Sequence, residues 1–472
     1  MRQSAVSKPV KNSIVILLIA MTAMVFSCNP DDKFVEEIAH LEFYDDTVQF
    51  DTIFTSVGSA TEVFLIYNRG DENMLLNTIE LAGGKGSPYR LNFDGVSDTR
   101  FENVELLAGD SLYGFVEVTI DPGDESIPFV VKDSIIFKSG SGQMDLKLVS
   151  WGQNAIFHSY DTIKTNETWS NNAPHVLYGN VRVAKGAVLT IEEGTQIFGH
   201  SLSRLIIGRK SSLQILGSVD FPVVFQGDRK EERYEEQPGQ WFGIQLLPGS
   251  VNNYIRHAVI KNGHRGIEID SMPASKERNL LVENTSIRSM SQVCILGYTA
   301  NIRIVNSELI DACEFLFVGE LGGNYEIVYS TLGNFQKTCV RTDPSVYLSN
   351  SDYEDPVTKD IITNDLSFNI INSIIYGGEE DEFIINASGT GNPPSGNIQN
   401  SIVKSENEEL LKLFKFPTDD PKFFKPGELN YQLDTLSPAI GKADPDIGWN
   451  TDFFEKSRDP VSPDMGAFER DE

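Results

Sequence analysis

The feature that most constrains this chain is a short motif that returns at a near-constant interval. The segments Ile255–Ile260, Val282–Ile287, Ile304–Leu309, Ile327–Leu332, Leu348–Tyr353, Ile370–Ile375 and Ile398–Val403 follow the pattern apolar-x-Asn-Ser-x-apolar. Their third residues stand at 257, 284, 306, 329, 350, 372 and 400, so the steps are 27, 22, 23, 21, 22 and 28. A step in the low twenties, rich in β-branched residues and without helical periodicity, is what stacked β-coils require. Inward Ile, Val and Leu would pile into aliphatic columns. Asn at a bend tolerates left-handed backbone. With parallel coils about 4.8 Å apart, its amide can reach the Asn of the next coil. Asn284, Asn306, Asn350, Asn372 and Asn400 are therefore expected to form one structural ladder.

A second rhythm precedes the first. Apolar strand centres fall at Ile197, Ile206, Ile215 and Val224, nine residues apart, with Gly199, Gly208 and Gly217 between them at the same step. Three short strands with tight bends give this spacing. Earlier still, from Asp46 to Asn154, the text changes to alternating strands such as Glu62–Tyr67, Phe115–Ile120, Asp133–Phe137 and Asp145–Val149, separated by turn residues. That pattern reads as an antiparallel β-sandwich.

Of the 472 residues, 39 are Lys or Arg and 68 are Asp or Glu, a formal charge of −29. So acidic a surface repels nucleic acid and anionic lipid headgroups, and no nucleic-acid partner is expected. Past Cys28 the cysteines are Cys294, Cys313 and Cys339, at steps of 19 and 26. An odd number at these intervals is no disulfide framework, and all three read as small buried apolar residues. The six histidines show no metal-ligand spacing, so no metal site is assigned.

Arg2, Lys8 and Lys11 precede an apolar run, Ile14–Phe26, that is short for a membrane span and ends at Ser27-Cys28. This start resembles a bacterial lipoprotein signal, in which Cys28 becomes the lipidated first residue of the mature chain. An ordinary secretory signal or membrane anchor is the alternative. The acidic Asn29-Pro30-Asp31-Asp32 that follows is similar to the stretch which, in Bacteroidetes-type lipoproteins, accompanies display at the cell surface. The resemblance implies an outer membrane lipoprotein, held to the membrane through its lipid and facing outward.

The opening Val188-Leu189-Thr190-Ile191-Glu192-Glu193-Gly194-Thr195, the segment Pro238–Ile244 and the Asn-Ser coils together resemble a right-handed parallel β-helix of the pectate-lyase-like class. Ser437–Gly441 and Pro463–Glu469 resemble the closing segment of bacterial β-helix proteins, and a solenoid needs capped ends. In the sandwich, Tyr67–Gly70, Leu107–Ser111 and Val118–Pro122 resemble an immunoglobulin-like domain, which implies a spacer or adaptor role. The expected organisation is all-β. It comprises a signal at 1–27, a tether at 28–46, an immunoglobulin-like sandwich at 47–155, a linker at 156–180, a right-handed parallel β-helix at 181–436 and a closing segment at 437–472.

β-Helices of this class often cleave polysaccharides. Polygalacturonase-like hydrolases use three aspartates, in Asn-Thr-Asp and Asp-Asp motifs, plus Gly-His-Gly and Arg-Ile-Lys elements. Gly263-His264-Arg265-Gly266 and Arg303-Ile304-Val305 each fall short of these. A lyase needs a basic side chain as proton acceptor and a cation such as Ca²⁺ to acidify the sugar proton. The candidates are Lys261, Arg265 and Arg288 as bases and Glu268 and Asp270 as carboxylates. Ca²⁺ is implied only under that alternative; otherwise no cofactor is expected. Arg256 and Glu283, and Arg303 and Glu326, share columns one coil apart and read as coil-to-coil ion pairs. The charged run Asp228–Pro238 breaks the nine-residue rhythm and reads as a loop off the solenoid. The reading reached is a binding or scaffold protein of the cell envelope, with carbohydrate or another envelope protein as partner. A polysaccharide lyase or glycoside hydrolase on the same scaffold is the alternative.

Overall fold

The computed structural model describes residues 33–470, apart from 56–57, 60, 122–128, 273–276 and 336–337. Cys28 and the leader lie outside the described residues. The chain divides into two compact units, the first ending at Gln153 and the second beginning at Asn154.

The first unit is a β-sandwich of a six-stranded and a five-stranded sheet. The strands expected from alternation are present as Glu62–Asn68, Ser111–Val118, Phe129–Ser139 and Gly142–Gln153. Their inward residues, among them Phe64, Ile66, Val116, Val118, Ile135, Phe137, Leu146 and Leu148, form one apolar core. The expected tether is partly built into this unit. Phe34–Val35 pairs with Asn73–Met74, and Leu41–Phe43 pairs with Ile66–Asn68. Buried Leu41, with Ile38 and Phe43 packed against the core, explains why this stretch is not a free linker.

The second unit is a right-handed parallel β-helix with three parallel sheets of ten, nine and nine strands. Sheets I, II and III denote the faces to which the first coil contributes Ile156–Ser159, Thr162–Ile163 and Glu167–Trp169. The segment 156–180, expected as a linker, therefore contains the first coil, paired in register with the second through His175–Tyr178, Arg182–Val183 and Leu189–Ile191. Its polar composition hid two buried anchors, Ile163 and Trp169. The nine-residue rhythm is borne out. Gln196–Gly199, Arg204–Ile207 and Ser212–Leu216 lie on sheets I, II and III, and Val223–Gly227 returns to sheet I. On sheet III one inward column runs Trp169, Ile191, Ile215, Ile255, Val282, Ile304, Ile327, Ile370, Ile398 in direct register. Each such side chain, taken out of water, contributes about 1.5–3 kcal/mol.

The repeat motif occupies the bend from sheet III to sheet I. His257, Asn284, Asn306, Tyr329, Asn372 and Asn400 all have φ between 45° and 52°, the left-handed bend expected of Asn. Asn350 is not in this column. It follows a sheet II strand, Val346–Ser349, and its coil carries an excursion through the hairpin of Tyr353–Glu354 and Ile361–Ile362. The two steps of 21 and 22 thus belong to one coil of 43 residues between Tyr329 and Asn372.

The expected ladder lies one residue further along. The hydroxyls of Thr285, Ser307, Ser330, Ser373 and Ser401 are fully buried and accept, coil to coil, from the amides of Ala258, Thr285, Ser307, Ser330 and Ser373. Each hydroxyl donates to the carbonyl two residues before it. These groups have no water to bond, so the chain of hydroxyls satisfies the bend internally.

The Asn side chains point outward and hold a strap. Asn284 donates to the carbonyls of Asp452 and Phe453, Asn306 to Thr451, Asn372 to Asp444 and Asn400 to Lys442. The Tyr329 hydroxyl also donates to the Asp444 carbonyl, and Glu455 meets His257 and Arg256. The closing segment therefore runs back along the side of the solenoid rather than over its end. That end is covered by the helix Glu408–Phe414, whose Leu410, Leu411 and Phe414 pack on the main core. Arg303 pairs with Glu326 as expected, at 3.2 Å, whereas Arg256 turns from Glu283 to Glu455 in the strap.

The cysteine reading is corrected in part. Cys294 is buried and free, but Cys313 and Cys339 form a disulfide. Cys313 follows the sheet I strand Glu308–Ala312, and the loop after Thr331–Asn334 folds back over it. That return is invisible in linear spacing. The same loop is held by buried Arg341, which donates to both carboxylate oxygens of Glu382 at 2.6 and 2.7 Å.

Candidate functional site

Sheet II carries the most site-like outward face. Residues of its strands alternate between core and outside, except where Cys294 and Ile295, or Leu316 and Phe317, enter the core in succession. From Arg265–Asp270 the outward residues include Glu268 and Asp270; from Val293–Tyr298, Leu296 and Tyr298; from Phe315–Glu320, Val318 and Glu320. Pairing places Glu268, Leu296 and Val318 in one row and Asp270, Tyr298 and Glu320 in the next. Tyr347 stands opposite Val318. Val293, Leu296 and Val318 form an apolar cluster outside the solenoid, against which Tyr298, Phe315 and Tyr347 pack half-buried. Phe315 and Tyr347 have ring centroids 6.2 Å apart, and Asn386 donates to the Tyr347 hydroxyl at 2.8 Å.

A polar border flanks this platform. Arg265 donates to Glu268 at 2.7 Å and to the Gln292 side chain at 2.8 Å; Gln245 donates to Glu268 at 3.1 Å. The Arg204 guanidinium lies 3.3 Å from the centroid of the Phe242 ring. Burial raises the Glu320 carboxyl above its ordinary value, against an opposing hydrogen bond from Ser349, and burial also raises the Tyr298 hydroxyl. Such a face can stack apolar ring surfaces on Tyr and Phe while carboxylate, amide and guanidinium groups meet hydroxyls.

The proposed lyase residues do not converge. Arg265, Glu268 and Asp270 stand on sheet II, whereas Lys261 and Arg288 stand side by side on sheet I. The loop expected at 228–238 covers that second pair. Lys261 donates to the Glu235 carbonyl and the Glu236 carboxylate, both at 2.9 Å, and Arg288 and Ser289 donate to the same carboxylate. Burial would raise the Glu236 carboxyl, but Arg288, Ser289 and Lys261 outweigh it and hold it below its usual range. A proton acceptor needs a free lone pair within reach of substrate. Lys261, Arg265 and Arg288 instead spend donors on carboxylates of the protein and pin a loop and a strand edge.

An Asn-Thr-Asp triplet, a hydrolase element, does occur at Asn450-Thr451-Asp452, but in the strap. There Asp452 is buried and accepts from the backbone amides of Phe454, Lys456 and Glu469. Among the described residues, no three His, Cys, Asp or Glu side chains are grouped to hold a metal ion. The residues that sequence reasoning missed are Tyr298, Phe315, Glu320 and Tyr347. Alternation in Phe315-Leu316-Phe317-Val318-Gly319-Glu320 could not have found them: Leu316 and Phe317 both enter the core, so Phe315 and Phe317 share a parity but not a face. Phe317 turns inward and fully buried, and Phe315 does not.

The fold defines a right-handed parallel β-helix protein, and the family model of the pectate-lyase-like β-helix domain matches residues 161–264. The search of curated proteins returned no match. Among solved structures, a PapD-like domain of human CEP192 aligns over 33% of this chain and 96% of its own, at 11% identity and a TM-score of 0.17. A family 123 glycoside hydrolase from Clostridium perfringens aligns over 27% of this chain and 26% of its own, at 7% identity and a TM-score of 0.19. The catalytic domain of a GH87 α-1,3-glucanase aligns over 82% of this chain and 98% of its own, at 9% identity and a TM-score of 0.15. Scores this low carry no argument about activity.

Proposed function

We propose that the protein is a cell-envelope lipoprotein whose β-helix binds carbohydrate on its sheet II face. The observation that carries this reading is the group of Tyr298, Phe315 and Tyr347 packed half-buried on one apolar cluster outside a rigid solenoid, with Asp270 and Glu320 on either side of Tyr298 and Glu268 beside Leu296. Side chains on stacked strands are held in place by their neighbours, so the face is organised before a ligand arrives. The engaged state of Lys261, Arg265 and Arg288 supports binding over lyase chemistry. Replacing Tyr298 and Tyr347 together by alanine should weaken binding of a retained polysaccharide at least 10-fold, about 1.4 kcal/mol, as read by affinity electrophoresis across a glycan panel. Unchanged retention would refute the face. The same panel, incubated with and without Ca²⁺, tests the enzymatic alternative, since ultraviolet-absorbing unsaturated products would establish a lyase.

The anchor rests on the basic, apolar and Cys28 sequence of the leader. In this proposal Cys28 is lipidated, the protein resides in the outer membrane facing the cell surface, and the sandwich serves as an adaptor in the immunoglobulin-like manner. Cys28→Ala is expected to abolish lipid labelling and membrane retention. Retained label in that variant would refute the anchor.

A further inference from the structure

Three segments lie over the outer side of sheet I. The loop 228–238 lies over Lys261 and Arg288. The hairpin of Phe423–Lys425 and Asn430–Leu433 lies further along, where Tyr431 packs so closely on Gly333 that a Cβ there would meet its ring at 2.2 Å. The strap covers Thr331, whose hydroxyl accepts from the Ala467 amide. Between the hairpin and the strap a cavity of about 230 Å³ remains. Glu308 is exposed to it from the sheet, and its walls include Tyr431, Gln432, Phe453, Phe454 and Phe468. The rings of Phe453, Phe454 and Phe468 stand 5.0, 5.2 and 5.5 Å apart, centroid to centroid.

We infer that this cavity is a binding site for an organic ammonium group, with Glu308 as its counter-ion and the Phe and Tyr rings as its walls. Three properties set the ligand class. Aromatic faces attract cations, more strongly when water is excluded. No basic side chain lines the cavity. Glu308 makes no ion pair among the described residues, because neighbouring Arg288 is bound to Glu236. The volume is below that of drug-sized sites, which limits the guest to a small head group. Two sources share this chemistry: a quaternary ammonium, and the primary ammonium of an amino sugar.

The charge state of Glu308 fits the same role. Burial raises its carboxyl, against a hydrogen bond from Ser286 and the charge of Arg288, while Asp311 raises it further. Asp311 is itself raised by burial and accepts from the Tyr431 hydroxyl at 2.6 Å. Burial thus disfavours the charged carboxylate, and a cation beside it would supply the missing counter-charge. Cation binding should tighten as pH rises, since the competing proton is lost. This site is separate from the sheet II face, so variants there leave it intact.

Calorimetric titration of the full chain with choline, whose charge does not titrate, tests the inference. Choline should bind at least 10-fold more tightly at pH 8 than at pH 5, with proton release in buffers of different ionisation enthalpy. Glucosamine at pH 6.5 should bind and glucose should not, and the ratio of choline to glucosamine affinity identifies the source. Glu308→Gln should lower choline affinity at least 10-fold without lowering the thermal midpoint. Phe454→Ala, at a residue 48% exposed, should lower it several-fold in a folded protein. The inference is overturned if neither cation binds, if glucose binds as well as glucosamine, or if both variants bind choline like the parent.

Discussion

Arg458→Ala should destabilise the β-helix by about 3–5 kcal/mol, because it removes one member of a buried ion pair and leaves the other uncompensated. Arg458 is 6% exposed although it lies in the terminal strap. Its guanidinium donates to the carbonyls of Thr451, Asp464, Gly466 and Ala467 and to the side chains of Asn306 and Glu469. It also stacks 4.1 Å above the Tyr329 ring. Burial pushes both ionic partners toward neutrality, Arg458 downward and Glu469 upward. Lysine cannot replace Arg458, since an ammonium lacks the planar fork that reaches six acceptors. Arg458→Lys should therefore recover less than half the loss in urea denaturation, and limited proteolysis should cut first within 442–470. A loss below about 1 kcal/mol would mean that the strap is dispensable.

The second large effect is an acid lability of the first coil. His158 and His175 face each other, Nε2 to Nδ1 at 2.9 Å, and both rings stack on Trp169 at 4.4 and 4.6 Å. Burial lowers both pKa values, and burial together with neighbouring His158 brings His175 down to about 4. A histidine kept neutral in the fold takes up its proton more readily once unfolded. Its contribution is therefore intact above the unfolded value of about 6.5 and is lost as pH falls from there to about 4. That depression corresponds to roughly 3 kcal/mol. His175→Phe should remove this part of the pH dependence, so its stability relative to the parent should rise between pH 7 and pH 4.5. Carboxylates titrate in the same window in both proteins and cancel in the comparison. Parallel curves for parent and variant would refute the assignment.

Much of the architecture was legible because it is periodic. The nine-residue rhythm of Ile197, Ile206 and Ile215 and the return of Asn-Ser at the bend follow from local geometry: a three-strand coil must turn at fixed intervals, and a left-handed bend favours Asn. Where the period failed, the reading failed. Asn350 matched the motif but sits after a sheet II strand, because an excursion lengthened its coil. The segment 156–180 lacked the motif yet makes the first coil, since Ile163 and Trp169 suffice to anchor short strands. The site was less legible still. Lys261, Arg265 and Arg288 looked like free bases, and only distance revealed that Glu236 and Glu268 engage them.

The sequence by itself determined the coils, the left-handed bends and the alternating sandwich, all of which depend on residues close in the chain. Tertiary structure alone decided what the Asn column does. A motif that reads as a ladder between coils is a row of hooks for a strap from 442 to 455, and the buried Ser and Thr hydroxyls beside it carry the ladder. The physical reason is that a side-chain amide at a bend can bond the next coil or an outside chain equally well. Which partner it meets depends on a segment up to 169 residues away. The Cys313–Cys339 bridge, the Arg458 network and the cavity above Glu308 share that cause. Each arises where distant parts of the chain fold back over one face of the solenoid.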